Sequence, residues 1–306
     1  MKLKLFIKIT AIIALFSLVF FADRSGLVMA ADNDEESINE KYGLPVVVYG
    51  AALSEAQKEK VRELLNVTDP SKVKEITVTG DDLVTYIKGD KHSNMYSSAK
   101  ITRKDTGEGL VINQVTPENI TEVTSEMYAN ALLTAGVQDA VVDVASPVKV
   151  SGHSALVGIY KAYDAGDGAG LNKERTEVAN EELNLATDLA KKEGLDQDKV
   201  SELLTEIKKE IAEQNPATKE EIQKIIDEKL QSLNINLSAE DRQLLIDLFE
   251  KMRSLNINFD NVKSQLETLS QDIQQRIKET IGDEGFLQKV ADFFKQLIDS
   301  IKSIFA

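Results

Sequence analysis

Cysteine is absent from this 306-residue chain, which excludes disulfides, thiolate metal sites, a cysteine nucleophile and attachment through a lipidated cysteine. Tryptophan is absent too, and with seven Tyr and ten Phe no aromatic-rich sugar platform is evident. Histidine occurs only as His92 and His153, leaving hydrolases of the Ser–His type few bases to position. Basic charge is scarce as well: 36 Lys and Arg stand against 51 Asp and Glu. Phosphate backbones are held by cationic side chains, so nucleic acid is not an expected partner. The acidity keeps an exported protein soluble and leaves extracellular cation binding as an alternative reading.

What is present begins with a processing signal. Lys2, Lys4 and Lys8 precede an apolar run from Ile9 to Phe21, and Val28 and Ala30 supply the small side chains that a signal peptidase reads. Residues 1–30 are therefore expected to be a signal peptide, cut after Ala30 or Ala31. Asp23 and Arg24 end the apolar run too early for a comfortable membrane span. Removing four basic residues and one acidic residue takes the net charge from −15 to −18. Residues 31–43 are polar and lack an apolar period, as a flexible leader would.

Two regions of different character follow. Over 44–165, short β-branched runs alternate with helical stretches, which predicts an α+β (mixed α/β) domain. Val46 to Tyr49 reads as a buried strand, and Ser54 with Gln57 forms a capping box that opens a helix ending before Pro70. Strands are expected at 73–79, 95–103, 109–115 and 140–145, with Lys104 to Glu108 as a hairpin loop between the second and third. Helices are expected at 81–88, 124–135 and 153–164, the last capped by Ser151 or Ser154.

Over 166–306, long helical periods predict an all-α bundle, with a fresh start at Thr218 and Glu221 after Pro216. Its acidic residues read as a solvated face. Ser232-Leu233-Asn234-Ile235-Asn236 returns as Ser254-Leu255-Asn256-Ile257-Asn258, which predicts two similar interhelical connections. The chain closes on an amphipathic helix containing Phe293 and Phe294, whose mixed charges favour bundle packing over an anionic-lipid anchor.

No chemistry-bearing motif survives inspection. Gly152-His153-Ser154-Ala155-Leu156 lacks the second glycine of a nucleophile elbow. The stretch from Asp164 through Asp167 to Gly170 has glycines where an EF-hand needs oxygen ligands and Arg175 where it needs Glu, so it reads as a linker. Carboxylates are too abundant for a glycosidase pair to be picked out.

The run from Val46 to Gln57 resembles the start of the YpuA-like secreted bacterial proteins, domain of unknown function 1002, found in Gram-positive bacteria. Residues 126–132 with 135–137, 146–152 and 155–163 agree, and the likeness continues through Asn215-Pro216-Ala217-Thr218. The resemblance implies an exported bacterial protein and supplies no catalytic residues, cofactor or metal.

The resulting expectation is a secreted cell-envelope protein, a non-enzymatic binding or assembly factor that needs no cofactor and keeps no stable transmembrane anchor after processing. Its partners are expected among cell-wall or envelope proteins, and the alternatives are an envelope hydrolase using carboxylates and a cation-binding protein. The candidate interaction surface comprises His92, Tyr96, His153, Asp164 and Asp167 on exposed parts of the first region, and Phe293 and Phe294 on the final helix. The sequence leaves oligomeric state and retention at the wall open.

Overall fold

The computed structural model describes residues 41–166, 170–192 and 195–281. These belong to one compact unit. Asp167, Phe293, Phe294 and the expected signal peptide lie outside the described residues.

Five strands form one mixed sheet: β1 (Val46–Gly50), β2 (Lys74–Val78), β3 (Ser98–Arg103), β4 (Leu110–Gln114) and β5 (Ala140–Ala145), in the order β2-β1-β3-β5-β4. Two parallel pairs, β1 with β2 and β4 with β5, flank antiparallel β3. The crossover α1 (Glu55–Leu64) joins the first pair, and α3 (Ser125–Ala135) joins the second. Their core contacts identify opposite faces: Val47 and Tyr49 pack with Val61 and Leu65 of the α1 region, whereas Val142 and Val144 belong to the cluster containing Met127 and Leu132 of α3. Helices α2 (Gly80–Ile87) and α4 (His153–Ala165) join that second, larger cluster.

The expected hairpin between β3 and β4 is not formed, because β5 lies between them. Asp139, just before β5, holds the connecting loop in this arrangement. Its carbonyl accepts from Lys104 N at 3.0 Å, and its carboxylate accepts from the amides of Gly107 and Gly109, both at 2.9 Å. The expected serine cap of α4 is also absent: Gly152 is the N-cap at φ 106°. A Cβ there would stand 2.7 Å from both Ile120 Cγ2 and the Tyr128 hydroxyl, so space as well as backbone geometry requires glycine. The boxes at Ser54/Gln57 and Thr218/Glu221 are both present.

Five helices follow: α5 (Lys173–Ala190), α6 (Gln197–Gln214), α7 (Lys219–Ser232), α8 (Ala239–Ser254) and α9 (Lys263–Ile281). One cluster of buried apolar side chains runs without a break from Val46 in β1 to Leu266 in α9, so these helices share the core of the sheet. The two copies of Ser-Leu-Asn-Ile-Asn do the same job. Asn234 and Asn256 take left-handed φ values of 56° and 52°, while the amides of Ile235 and Ile257 reach back to Leu230 O and Met252 O at 2.9 and 3.0 Å. Each copy thus closes its helix with a Schellman-type turn and buries the following isoleucine.

Replacing Asn256 by Val should destabilise the chain by about 1–2 kcal/mol, the cost of a branched residue in the left-handed region. Asn256→Gly should be neutral or mildly stabilising. Urea denaturation of the two variants checks both.

Candidate functional site

Of the described members of the sequence-based surface, the side chains of His153 and Asp164 are engaged within the chain. His92 is exposed, its amide donating to Asp90 Oδ1 at 2.9 Å. Tyr96 is partly buried in the same loop, which is pressed on the end of β1 and the start of α2. A Cβ on Gly50 would lie 2.2 Å from Met95 O, and one on Gly80 would lie 1.8 Å from Lys91 O. Those glycines therefore admit a loop that fills the crevice at the carboxyl ends of β1 and β2. His153 and Asp164 stand near opposite ends of α4, about 16 Å apart along its axis. The His153 ring meets the Thr187 hydroxyl at 3.1 Å, and Asp164 accepts from the Tyr86 hydroxyl at 2.8 Å and Leu171 N at 2.7 Å.

Ionisable groups converge elsewhere, in the core. Lys208 of α6 and Glu182 of α5 are 0 and 1% exposed and pair at 2.5 Å. Lys208 Nζ also donates to Asn130 O at 2.7 Å, and the Thr134 hydroxyl donates to Glu182 Oε2 at 2.6 Å. Asn130 Nδ2 in turn donates to the Thr205 hydroxyl at 3.0 Å. The Phe259 ring lies 5.6 Å from the ammonium. Burial pushes the Lys208 pKa below that of an ordinary lysine, and the Glu182 charge pulls it partly back. The Tyr160 hydroxyl is buried without a hydrogen-bond partner, and its pKa is driven far up by burial and then by the Glu182 charge. Buried at 0 and 1% exposure, this centre holds α3, α5 and α6 together.

Sequence reasoning assigned such acids to solvent, although a signal was available. Glu182 lies four residues from both Val178 and Ala186, and Lys208 lies four from both Leu204 and Ala212. Both sit on buried stripes.

Carboxylates also line up along α6. Burial raises the pKa of Asp198 and of Glu202, one turn apart. Arg276 opposes the shift at Asp198, while the Glu206 charge adds to it at Glu202. Glu206 is held low despite burial by Lys209 and the Ser270 hydroxyl. Among the described residues, no three His, Asp or Glu side chains are placed to hold a metal ion, and no helix is long and apolar enough to cross a membrane.

The exposed apolar side chains of the sheet lie on its β4 flank, where Val111 and Val115 are 48 and 37% accessible. Beside them, a cavity of about 300 Å³ opens between the start of β4, Ala129 and Leu133 of α3, and Gln265 to Asp272 of α9. Gln265 Oε1 accepts from Leu110 N at 3.0 Å across this gap.

The model of the family described as protein of unknown function (DUF1002) matches residues 49–269. The chain belongs to this DUF1002 family. A relative from Bacillus subtilis (strain 168), named Uncharacterized protein YpuA, is 37% identical over 268 residues, covering 85% of this chain and 89% of its own. No solved structure matches. The DUF1002 match spans the sheet from the end of β1, the Lys208–Glu182 centre and the first turns of α9, so the bundle helices belong to the family as much as the sheet does.

Lys208→Met alone should cost about 3–5 kcal/mol, because it strands the Glu182 carboxylate in the core. Adding Glu182→Gln should recover most of that loss, since the double variant leaves no buried charge. Denaturant titration of both variants measures the coupling.

Burial depresses the His153 pKa below 6.5, with Glu122 and Asp188 opposing the shift and Lys191 adding to it. Below about pH 6.5 the unfolded chain therefore takes up a proton that the folded chain refuses, and stability falls until the folded pKa is reached. His153→Gln should flatten the decline in melting temperature between about pH 6.5 and 5 relative to wild type.

Proposed function

We propose that this chain is an exported binding or assembly protein of the cell envelope. The observation that carries the reading is a contrast within the structure. The ionisable side chains that converge, Lys208 and Glu182, are sealed in the core, whereas Val111 and Val115 gather accessible apolar surface on the flank of an edge strand, with Val84 and Leu244 exposed singly on α2 and α8. The processing signal at Val28 and Ala30 and the strongly acidic composition support an extracellular setting. A binding protein needs a rigid frame more than a reactive cleft, and the shared core of sheet and helices supplies one.

A second reading, an envelope hydrolase working through carboxylates, is favoured by Asp198 and Glu202, which burial holds toward the protonated form. One experiment separates the two. Cells are fractionated into cytoplasm, membrane, wall and medium, and the recovered protein is sequenced from its N-terminus and assayed on peptidoglycan and simple esters. The binding reading expects protein in the wall or medium, beginning at Ala31 or Asp32, without turnover. Turnover that survives repurification and disappears in Glu202→Gln would establish the hydrolase. Protein with Met1 intact in the cytoplasm would overturn both.

A further inference from the structure

The two edges of the sheet are treated differently. β2 is guarded: Lys161 Nζ donates to the carbonyl of Thr77 at 2.7 Å, and Lys74 Nζ from β2 itself donates to Ala165 O at 2.5 Å. Lysines at an edge are a common defence against an added strand. Among the described residues, no lysine bonds to the outer edge of β4. Its odd-numbered residues bond to β5, as Ala140 N to Gly109 O and Val115 N to Val144 O show at 3.1 and 2.8 Å. The backbone groups of Leu110, Ile112 and Gln114 therefore face outward. Gln265 takes the amide of Leu110, and no strand lies beyond the rest among the described residues.

The stretch of chain that forms this edge carries charge of one sign. Although Asp105, Glu122, Glu126 and Asp143 meet Lys41, Lys191, Arg276 and Lys100 from elsewhere, Glu108 and Glu118 have no basic residue within ion-pair distance among the described residues. From Asp105 to Val148, a stretch that contains the whole of β4, α3 and β5, the chain carries seven acidic residues and no Lys or Arg. Glu108 and Glu118 bracket β4 itself, and Asp143 lies in the same cross-strand row as Asn113. Asn113 Nδ2 donates to Asp143 Oδ1 at 2.8 Å, which turns the middle of the β4 surface polar between Val111 and Val115.

We propose that the outer edge of β4 is a docking site for an extended, cationic segment of a partner protein, which adds as a sixth strand. This rests on the binding reading above and names the class of partner. The main-chain groups of Ile112 and Gln114, with the Leu110 carbonyl, pair with the incoming backbone. Aliphatic side chains of the segment pack beside Val111 and Val115, and Lys or Arg falls beside Asn113 and at the ends, facing Glu108 and Glu118. A second copy of this chain fits poorly, since antiparallel β4–β4 pairing would bring two sets of these acids together. Beyond the expected signal peptide, neither terminal segment outside the described residues is cationic: 31–40 carries only acidic charges, and 282–306 carries four acidic and three basic residues.

The test uses the purified full chain and fluorescence anisotropy with a labelled peptide of roughly ten residues in which every second position reads Lys, Val, Lys, Val, Lys along one strand face, with Thr between them. Saturable binding that weakens with added salt is expected. The same peptide N-methylated at every residue keeps its charge but has no amide donor on either edge, and should bind at least about tenfold more weakly. The same peptide with Glu in place of each Lys should show the same loss. Val111→Lys/Val115→Lys, which changes only exposed side chains, should lose about tenfold in affinity with an unchanged melting temperature.

Equal binding of the N-methylated peptide would reduce the interaction to general charge attraction, and equal binding by the variant would move it off β4; either overturns the proposal. So does a wild-type dimer in sedimentation that the double variant dissolves, because a second copy would then own the edge. Absence of peptide binding from a protein recovered in the wall or medium removes this site while the envelope reading stands. Strand-dependent binding by a protein found in the cytoplasm keeps the site and removes the envelope reading.

Discussion

The Lys208–Glu182 pair and its hydrogen bonds to Asn130 and Thr134 tie together three helices that lie far apart in the chain. Its strength lies less in net energy than in what happens when it is incomplete. A charge buried alone costs several kcal/mol, so α3, α5 and α6 reach low energy only when all of them are in register. Arg175 adds a second tie from α5, donating through Nε to Thr134 O at 2.9 Å at the end of α3. α3 is both the crossover helix of the β4–β5 pair and the platform for the bundle, so placing it places the β4 edge as well.

Local structure was legible in the sequence wherever it is set by neighbours along the chain. The capping boxes at Ser54 and Thr218, the stop at Gly136, the strand at Ala140–Ala145 and the matching turns at Asn234 and Asn256 all follow from short-range chemistry. The expected mixed fold, a sheet region followed by helices, is what forms. The strand order was not legible, because two runs separated by a short loop look the same whether they pair or admit a third strand between them. What separates β3 from β4 is the hold of Asp139 on the loop amides, a contact some thirty residues away in sequence.

The candidate site divides along the same line. His153 and Asp164 stand out in the sequence as rare or clustered chemistry, yet their partners, Thr187 and Tyr86, are interior neighbours of their own helix. β4 drew no notice because nothing in Leu-Val-Ile-Asn-Gln marks a strand as an edge. Its position becomes visible only when β5 is seen to occupy its other side. The run of acids was present all along, but Glu108 and Glu118 gain meaning only beside unpaired backbone.

Arg276 of α9 donates to the Glu126 carboxylate across 150 residues of chain, at the start of α3. A polypeptide delivered N-terminus first, whether from a ribosome or through a translocon, completes the β4–α3 flank well before that arginine arrives. For that interval Glu126 lacks its guanidinium, and the Leu110 amide lacks Gln265. Chain order thus leaves this flank incomplete until the last described helix arrives, so the sequence places the closing contacts of the β4–α3 flank at the end of synthesis.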